Sequence, residues 1–503
     1  MCGGLLDKDS FYSKLSDFGH QWIHDEDYAG MYSLEVGRPC VPPSTLVRAL
    51  LLQNYRSCSD HELVERIRFD LRYKVALCVP VDYAGFDPSL LAIFRARLIL
   101  HTKDKLAFEK TVEAARKAGL IGAVQPIDSM PILGAAALQD TYTLIRTGIE
   151  KLLLAIRKQR DAWKGSRGFK YPFSSKKYRP GAGKAKIDWN DKRQKAEHLD
   201  ELVKDASALI EAVESSNMAK SEPVQVQLQL LVRILAQDIE DGEDETKIVK
   251  GGKDRVISTN DPESRHGHKT SSKLIKGYKG HFTVSEQEVV TSVAVTPANA
   301  ADTEPVEAMV DDLEEREVKP ERMPADCGYA GADFRASMEA KGVEIFAKVP
   351  QPPKGERFPK AQFKIDLEAK TVTCPAGVTT ATSKQAKDSK GRPVEQFHFE
   401  RESCAGCQLR GQCIPDSEKN RKITLLYNEE QAQRAKQKAS EPGFTEEIKR
   451  RIVVERVQGR LQSYGLKKAR YFGRVKTLLQ AMLAAAANNI WRLTSPLSAR
   501  GEP

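Results

Sequence analysis

Arg322-Met-Pro-Ala-Asp326-Cys-Gly-Tyr-Ala-Gly331 is the stretch on which the fold turns. It opens strand-like and closes in a carboxylate, Asp326. Downstream, Ala332 to Lys341 has a helical pattern, and Val343-Glu-Ile-Phe-Ala-Lys-Val349 is strand-like again. Upstream, Arg255-Val-Ile-Ser-Thr259, Gly277-Tyr-Lys-Gly-His-Phe-Thr-Val284 and Val289 to Val295 are rich in the β-branched and aromatic residues that suit strands. An amphipathic helix is predicted over Pro305 to Arg316. Strands in succession, then strand and helix in alternation, predict an α/β fold with helices packed on a mixed sheet.

Outward from this region the pattern is helical. In Pro42 to Leu100, Ser44 can cap a run with Leu46, Val47, Leu50 and Leu51, and Ser59 or Asp60 can start another with Leu63, Val64 and Ile67. Pro88 opens a third with Leu91, Phe94 and Leu98, and Arg95 and Arg97 lie away from part of that stripe. Short helices with basic outer faces suit a helix-turn-helix-like DNA-binding module, and equally a helical bundle with a solvated face. Gly122-Ala-Val-Gln-Pro-Ile-Asp128 is a short extended run, with Asp128 at the end of a first core strand. From Asp140 a long helix is predicted, with Leu144, Ile145, Ile149, Leu152, Leu153 and Ile156 on one stripe. Lys164 to Lys186 breaks it with aromatics among basic residues, a composition that stacks on bases or serves as a loop. Helices resume from Asp191 to about Ile239. Residues 350 to 440 begin with prolines and look like an inserted module, and helical patterns return through Ile448, Ile452, Glu455 and Gly459 and again from Val475 to Leu493.

At 503 residues the chain exceeds one compact core. Hydrophobic residues at 40% and charged residues at 29% exclude wholesale disorder. No apolar run approaches the roughly 20 residues of a membrane span, and the first residues lack a signal-peptide core. A cytoplasmic protein without membrane association is expected. The net charge of +10 is concentrated at Lys164 to Lys195, Arg265 to Lys279 and Lys449 to Lys476, which fits a polyanion partner. Nine cysteines, an odd number, argue for reduced thiols. Cys374, Cys404, Cys407 and Cys413 form a group whose thiolates suffice for a tetrahedral structural zinc; packing thiols without metal are the other reading.

Asp128, Asp326 and Glu455 stand at informative places. Two hard cations held by carboxylates about 3.5–4 Å apart can clamp the attacking and leaving oxygens of a phosphodiester. Two acids at adjacent strand ends and a third from a crossing helix would form that clamp. Composition cannot select these three, but a resemblance does. Gly37-Arg-Pro with Phe94-Arg-Ala-Arg-Leu98, Ile127-Asp-Ser129, Asp140-Thr-Tyr, Ile187-Asp-Trp-Asn-Asp191, Gln237-Asp-Ile-Glu240, Asp261-Pro-Glu-Ser-Arg-His-Gly-His-Lys269 with Gly277-Tyr-Lys279, Ala325-Asp-Cys-Gly-Tyr329, and Arg451-x-x-x-Glu455 with Gly465-Leu-Lys-Lys-Ala-Arg-Tyr-Phe-Gly473 and Asn488-Asn489 follow one another along the chain. In order and wording they resemble the DDE-type insertion-sequence transposases. Ile448 stands where many relatives have a tyrosine, and Gln462 where some carry a basic residue.

The resemblance implies an RNase H-like mixed sheet flanked by helices. Its parts would be a helical DNA-binding domain over 1–120, core segments over 121–145 and 251–350, a helical insertion over 146–250, a cysteine-containing insertion over 351–440, and the catalytic-Glu helix with C-terminal helices over 441–495. It implies metal-dependent cleavage of double-stranded DNA at transposon terminal inverted repeats and strand transfer into target DNA. Asp128, Asp326 and Glu455 would hold Mg2+ or Mn2+, and a homodimer on paired ends, associated with the nucleoid through DNA, is the family expectation. Arg95, Arg97, Arg265, His266, Lys269, Lys279, Arg451, Lys467 and Arg470 are the candidate DNA contacts. A related nuclease of repair or recombination would use the same acids, and an inactive DNA-binding descendant would not need them.

Overall fold

The computed structural model describes residues 6–32, 40–162, 169–179, 187–241, 246–249, 252, 254–270, 273–349, 357–388, 391–426 and 428–493. Gly37-Arg-Pro39, Cys2, the side chain of Lys269 and much of Lys164 to Lys186 lie outside these residues.

The N-terminal part is helical. Ser10 caps α1 (Phe11–Trp22) by accepting from the Ser13 amide. α2 (Pro43–Arg56) starts one residue before the predicted cap: Pro42 is its N-cap, with Pro43 just inside, and Ser44 donates its amide to Asp25. α3 (Asp60–Phe69) has the cap expected at Ser59, in a reciprocal capping box with Glu62. α4 (Leu71–Leu77), α5 (Ser89–Leu100) and α6 (Leu106–Lys117) complete the group. The apolar stripes predicted for α2, α3 and α5 are buried at Leu46, Leu50, Leu63, Ile67, Leu91 and Phe94.

β1 (Ile127–Leu133) does not end at Asp128 but begins just before it. The signal against continuation is Pro131, a residue that argues against a central strand. α7 (Thr141–Ala162) buries its whole predicted stripe against α8 (Lys192–Glu214) and α9 (Glu222–Asp238), and the hairpin of β2 (Ile239–Asp241) and β3 (Thr246–Ile248) follows. The predicted strand at 255–259 is absent. Glutamine side chains satisfy that backbone instead: Gln237 accepts from the Val256 amide and Gln139 from the Thr259 amide.

β4 (Arg265–Thr270), β5 (Lys273–Val284) and β6 (Val290–Pro297) come next, then α10 (Val306–Glu315), β7 (Arg322–Pro324), α11 (Ala332–Ala340) and β8 (Glu344–Phe346). β5 pairs antiparallel with β1, β4 and β6, placing Asp128 opposite Phe282. The segment entering β1 bridges β7 in parallel, Val124 to Arg322, and β7 pairs in parallel with β8. Across the molecule the pairing therefore runs β6, β5, β1, β7, β8.

Residues 357–426 form small antiparallel sheets with a core of their own. β9 (Lys364–Asp366), β10 (Thr371–Thr373) and β11 (Thr379–Thr380) make one, and β12 (Ser383–Lys387), β13 (Pro393–His398) and β14 (Lys422–Leu426) the other. Two short helices, α12 (Arg401–Ala405) and α13 (Arg410–Cys413), lie between β13 and β14. α14 (Glu429–Lys438) and α15 (Phe444–Lys449) lead to α16 (Ile452–Leu461). Val453, Val454, Val457 and Leu461 form the buried stripe of α16, which lays it on β1 and β5, and Ile452 faces solvent. Gly465, at φ +88°, ends this helical run, and a Cβ there would stand 2.4 Å from the Ser57 hydroxyl.

α17 (Arg474–Leu493) joins the two halves. It packs against α2 and α6 on one side and β6 on the other, and Ala484 to Ala487 are fully buried, their small side chains permitting that close approach. Asn489 imitates a neighbouring strand: its amide accepts from the Val290 N–H and donates to the Val290 carbonyl, both at 2.8 Å. Among the described residues no helix is long and apolar enough to cross a membrane.

Candidate active site

Asp128 reaches the surface of the sheet from β1 and stays largely buried, with 13% of its side chain exposed. Its Oδ1 accepts from the Ser129 amide at 2.8 Å, and Oδ2 accepts from Arg451 Nη2 at 3.2 Å. Burial pushes this carboxyl above the usual carboxylate range, the Arg451 charge and the Ser129 amide oppose the rise, and the nearby charge of Asp326 adds to it. Asp326 follows β7 and caps the turn Cys327–Tyr329, its Oδ1 accepting from the Gly328 amide at 2.8 Å. The parallel bridge between the segment entering β1 and β7 brings Asp128 and Asp326 to one region, with Asp128 at the start of β1 and not at its end.

Glu455 lies in the first turn of α16 and is exposed. Arg451, at the junction of α15 and α16, links it to the sheet: the same Nη2 that meets Asp128 stands 3.4 Å from Glu455 Oε1. A guanidinium thus lies between the two acids. Among the described residues no three His, Cys, Asp or Glu side chains stand together at metal-binding distance. The donor set itself, carboxylate oxygens from two strands and a helix, suits a hard divalent cation.

Two further residues belong to this region, Asp302, which no sequence motif singled out, and Tyr329, which closes the Ala325–Tyr329 motif without a role assigned to it. Asp302 lies between β6 and α10, and its Oδ1 accepts from Ser129 Oγ at 3.1 Å and from Lys279 Nζ at 2.9 Å. An aspartate before a helix is most often a cap, so local pattern did not single it out. Tyr329 is fully buried and its hydroxyl has no hydrogen-bond partner. Burial, and then the charges of Asp302, Asp128 and Asp326, push that hydroxyl well above the usual phenol range, and the neighbouring Ser129 hydroxyl opposes the rise.

The candidate DNA contacts separate by environment. Arg95 is buried, paired with Asp60 at 2.5 Å and lying over the Tyr471 ring. Arg265 is buried and paired with Asp254 at 2.7 Å. Both guanidinium groups are engaged inside the chain. Arg97 lies over the Tyr32 ring, and Arg470 donates to the Cys58 carbonyl at 2.7 Å. Lys279 donates to Asp302 and to the Ala300 carbonyl, inside the site. Burial, followed by the nearby Lys276 and Arg255 charges, holds His266 below the usual imidazole range. Lys467 is exposed, and its carbonyl accepts from the Leu133 amide at 3.1 Å, which fixes it beside the end of β1.

Cys374, Cys404, Cys407 and Cys413 line one small cavity of about 30 Å³ in the 357–426 module, and none is in a disulfide. Cys374 sits in a tight turn, its carbonyl accepting from the Gly377 amide at 2.9 Å, and the Cys407 carbonyl accepts from the Arg410 amide at 3.1 Å. Burial raises the Cys413 thiol, with the Arg421 charge opposing.

A family model described as Transposase domain (DUF772) matches residues 2–97. Two models described as Transposase DDE domain match residues 244–362, which hold Asp302 and Asp326, and 373–494, which hold the cysteine group and Glu455. No curated protein and no solved structure matches the chain.

Proposed function

The chain belongs to the DDE transposases of insertion sequences, and we propose that it cleaves DNA at the ends of its element and joins the freed strands to target DNA, with Asp128, Asp326 and Glu455 as catalytic acids. The observation that carries this reading is the Arg451 guanidinium, which ties Asp128 on β1 to Glu455 on α16 while Asp326 acts on Asp128 from the neighbouring strand. The strand order, with the antiparallel run β6–β5–β1 on one side and the parallel pair β7–β8, reached through the Val124–Arg322 bridge, on the other, supports an RNase H-like core.

Asp128, Asp326 and Glu455 would hold Mg2+ or Mn2+. Such cations supply Lewis-acid activation of water and compensate the charge that develops on the phosphodiester. The chain's own part is placement. The bridge to β7 brings the two aspartates into one region, and the Val453–Leu461 stripe seats α16 on the sheet with Glu455 one turn from Arg451. Arg451 counters the desolvation of Asp128 and keeps its carboxylate available to a cation. No covalent enzyme intermediate is needed; orientation and charge do the work. Among the basic candidates, Lys467 presents its charge beside β1 and is proposed to meet DNA phosphate, and a homodimer would pair two ends.

The test is cleavage of DNA carrying the gene's native flanks, wild type beside Asp326→Ala, with Mg2+ or Mn2+. Cleavage leaving 3′-OH ends at the flanking repeats, abolished by the substitution, is expected. Cleavage that ignores the flanks and survives the substitution would overturn the assignment.

A further inference from the structure

The acids of the site do not stop at three. Asp302 is held by Lys279 and Ser129, and both donors meet its Oδ1. Its Oδ2 points elsewhere: a Cβ built on Gly328 would stand 3.4 Å from Asp302 Oδ2 and 2.9 Å from Asp326 Oδ1. The two carboxylates therefore flank one gap, which the absence of a side chain at position 328 leaves open. The Tyr329 hydroxyl, fully buried, lies close enough to feel the charges of Asp302, Asp128 and Asp326, and beyond the neighbouring Ser129 hydroxyl it meets no hydrogen-bond partner of good geometry. A buried hydroxyl left without a good partner is destabilising unless something meets it. Among Asp302, Asp128 and Asp326, a hydrated cation brings the missing acceptor in the oxygen of a bound water.

We infer that Asp302 is a fourth carboxylate of the cation site, facing Asp326 across the Gly328 gap, with the Tyr329 hydroxyl donating to water held there. The inference rests on the reading of Asp128 and Asp326 as metal ligands. Lys279 and Ser129 are then positioning residues. They fix one oxygen of Asp302 and so turn the other toward the cation, the way outer partners orient metal-binding carboxylates.

The experiment is Mn2+ binding to the full chain without DNA, read from the electron paramagnetic resonance of free Mn2+, beside melting in chelator. Asp302→Asn keeps an acceptor for Lys279 and Ser129 but removes the charge, and affinity is expected to fall about 10–100-fold. Gly328→Ala fills the gap, crowds Asp326 Oδ1 and weakens Mn2+ binding while every carboxylate is retained. Tyr329→Phe removes that hydroxyl and leaves every carboxylate in place, so it is expected to weaken Mn2+ binding while melting in chelator changes little. A purely structural Asp302 predicts the reverse, lower melting with unchanged affinity. Wild-type Mn2+ affinity in Asp302→Asn and Gly328→Ala, with affinity lost in Asp326→Asn, would overturn this inference and leave the triad standing. Unchanged affinity in Asp326→Asn as well would overturn the triad.

Discussion

Replacing Arg451 by alanine tests how the site stands without its cation. The substitution removes the one guanidinium that meets both Asp128 and Glu455. Glu455 is exposed and loses little, because exposed ion pairs contribute about 0–1 kcal/mol. Asp128 is the sensitive partner, since its side chain is 13% exposed and that of Arg451 22%. Breaking a fully buried pair costs about 3–5 kcal/mol. Residual exposure and the option of protonating Asp128 reduce this to about 1–3 kcal/mol, a melting shift of a few degrees for a domain of this size. Mg2+ supplies the positive charge that the variant lacks, so Arg451→Ala should gain more from millimolar Mg2+ than the wild type does. The assay is thermal unfolding of both proteins in chelator and in Mg2+. Equal melting in chelator, or an equal Mg2+ shift, would refute the view that Arg451 answers the charge of Asp128.

Glu288 sits at φ +65° between β5 and β6 and receives Arg456 at 3.2 Å, Arg460 at 2.6 Å and Arg492. Glu288→Ala removes their shared acceptor, and a loss of about 3 kcal/mol, read by denaturant unfolding, is expected; an unchanged midpoint would contradict it. His281, buried and hydrogen-bonded to Thr296 at 2.8 Å, is held down to about 4 by burial, from 6.5. The unfolded chain therefore takes up a proton first, and stability is lost as pH falls from about 6.5 toward 4, by about 3 kcal/mol at one pKa unit per 1.36 kcal/mol. His281→Gln should flatten that part of the stability profile, and an identical slope would exclude His281 as its source. Arg95→Ala should lower melting through its pair with Asp60 rather than alter the salt dependence of DNA binding; a weaker salt dependence with unchanged melting would return Arg95 to the DNA surface. One zinc per chain, released in Cys413→Ser with loss of melting, is expected if the four thiols act as ligands; a metal-free chain with unchanged melting would leave them as packing thiols.

Much of the architecture was legible along the chain because local periodicity reports which face is buried. The stripe from Leu144 to Ile156 needed only a 3.6-residue repeat to be recognised, and all of it is buried in α7. The β-branched runs around Phe282 and Val293 became β5 and β6 for the same kind of reason, and Asp326 was visible as a carboxylate closing a short strand. Errors arose where a local signal was overruled from a distance. The run at 255–259 is satisfied by glutamine side chains from two other elements, and Asp128 opens β1 because pairing with β5 carries the strand through Pro131.

By itself, the sequence determined most of the long helices, the core strands β5 to β8 and the set of acids from which a site could be built. Tertiary structure alone decided which of those acids meet. Arg451 and Asp128 are 323 positions apart, and no local repeat encodes their contact. The same holds for Arg95, drawn into an ion pair with Asp60 and away from solvent, and for Asp302, whose role depends on Ser129, Lys279 and Gly328 arriving from three other segments. The physical reason is one of range: periodicity records burial over a few turns, whereas charge pairing and desolvation depend on neighbours that only the folded chain assembles.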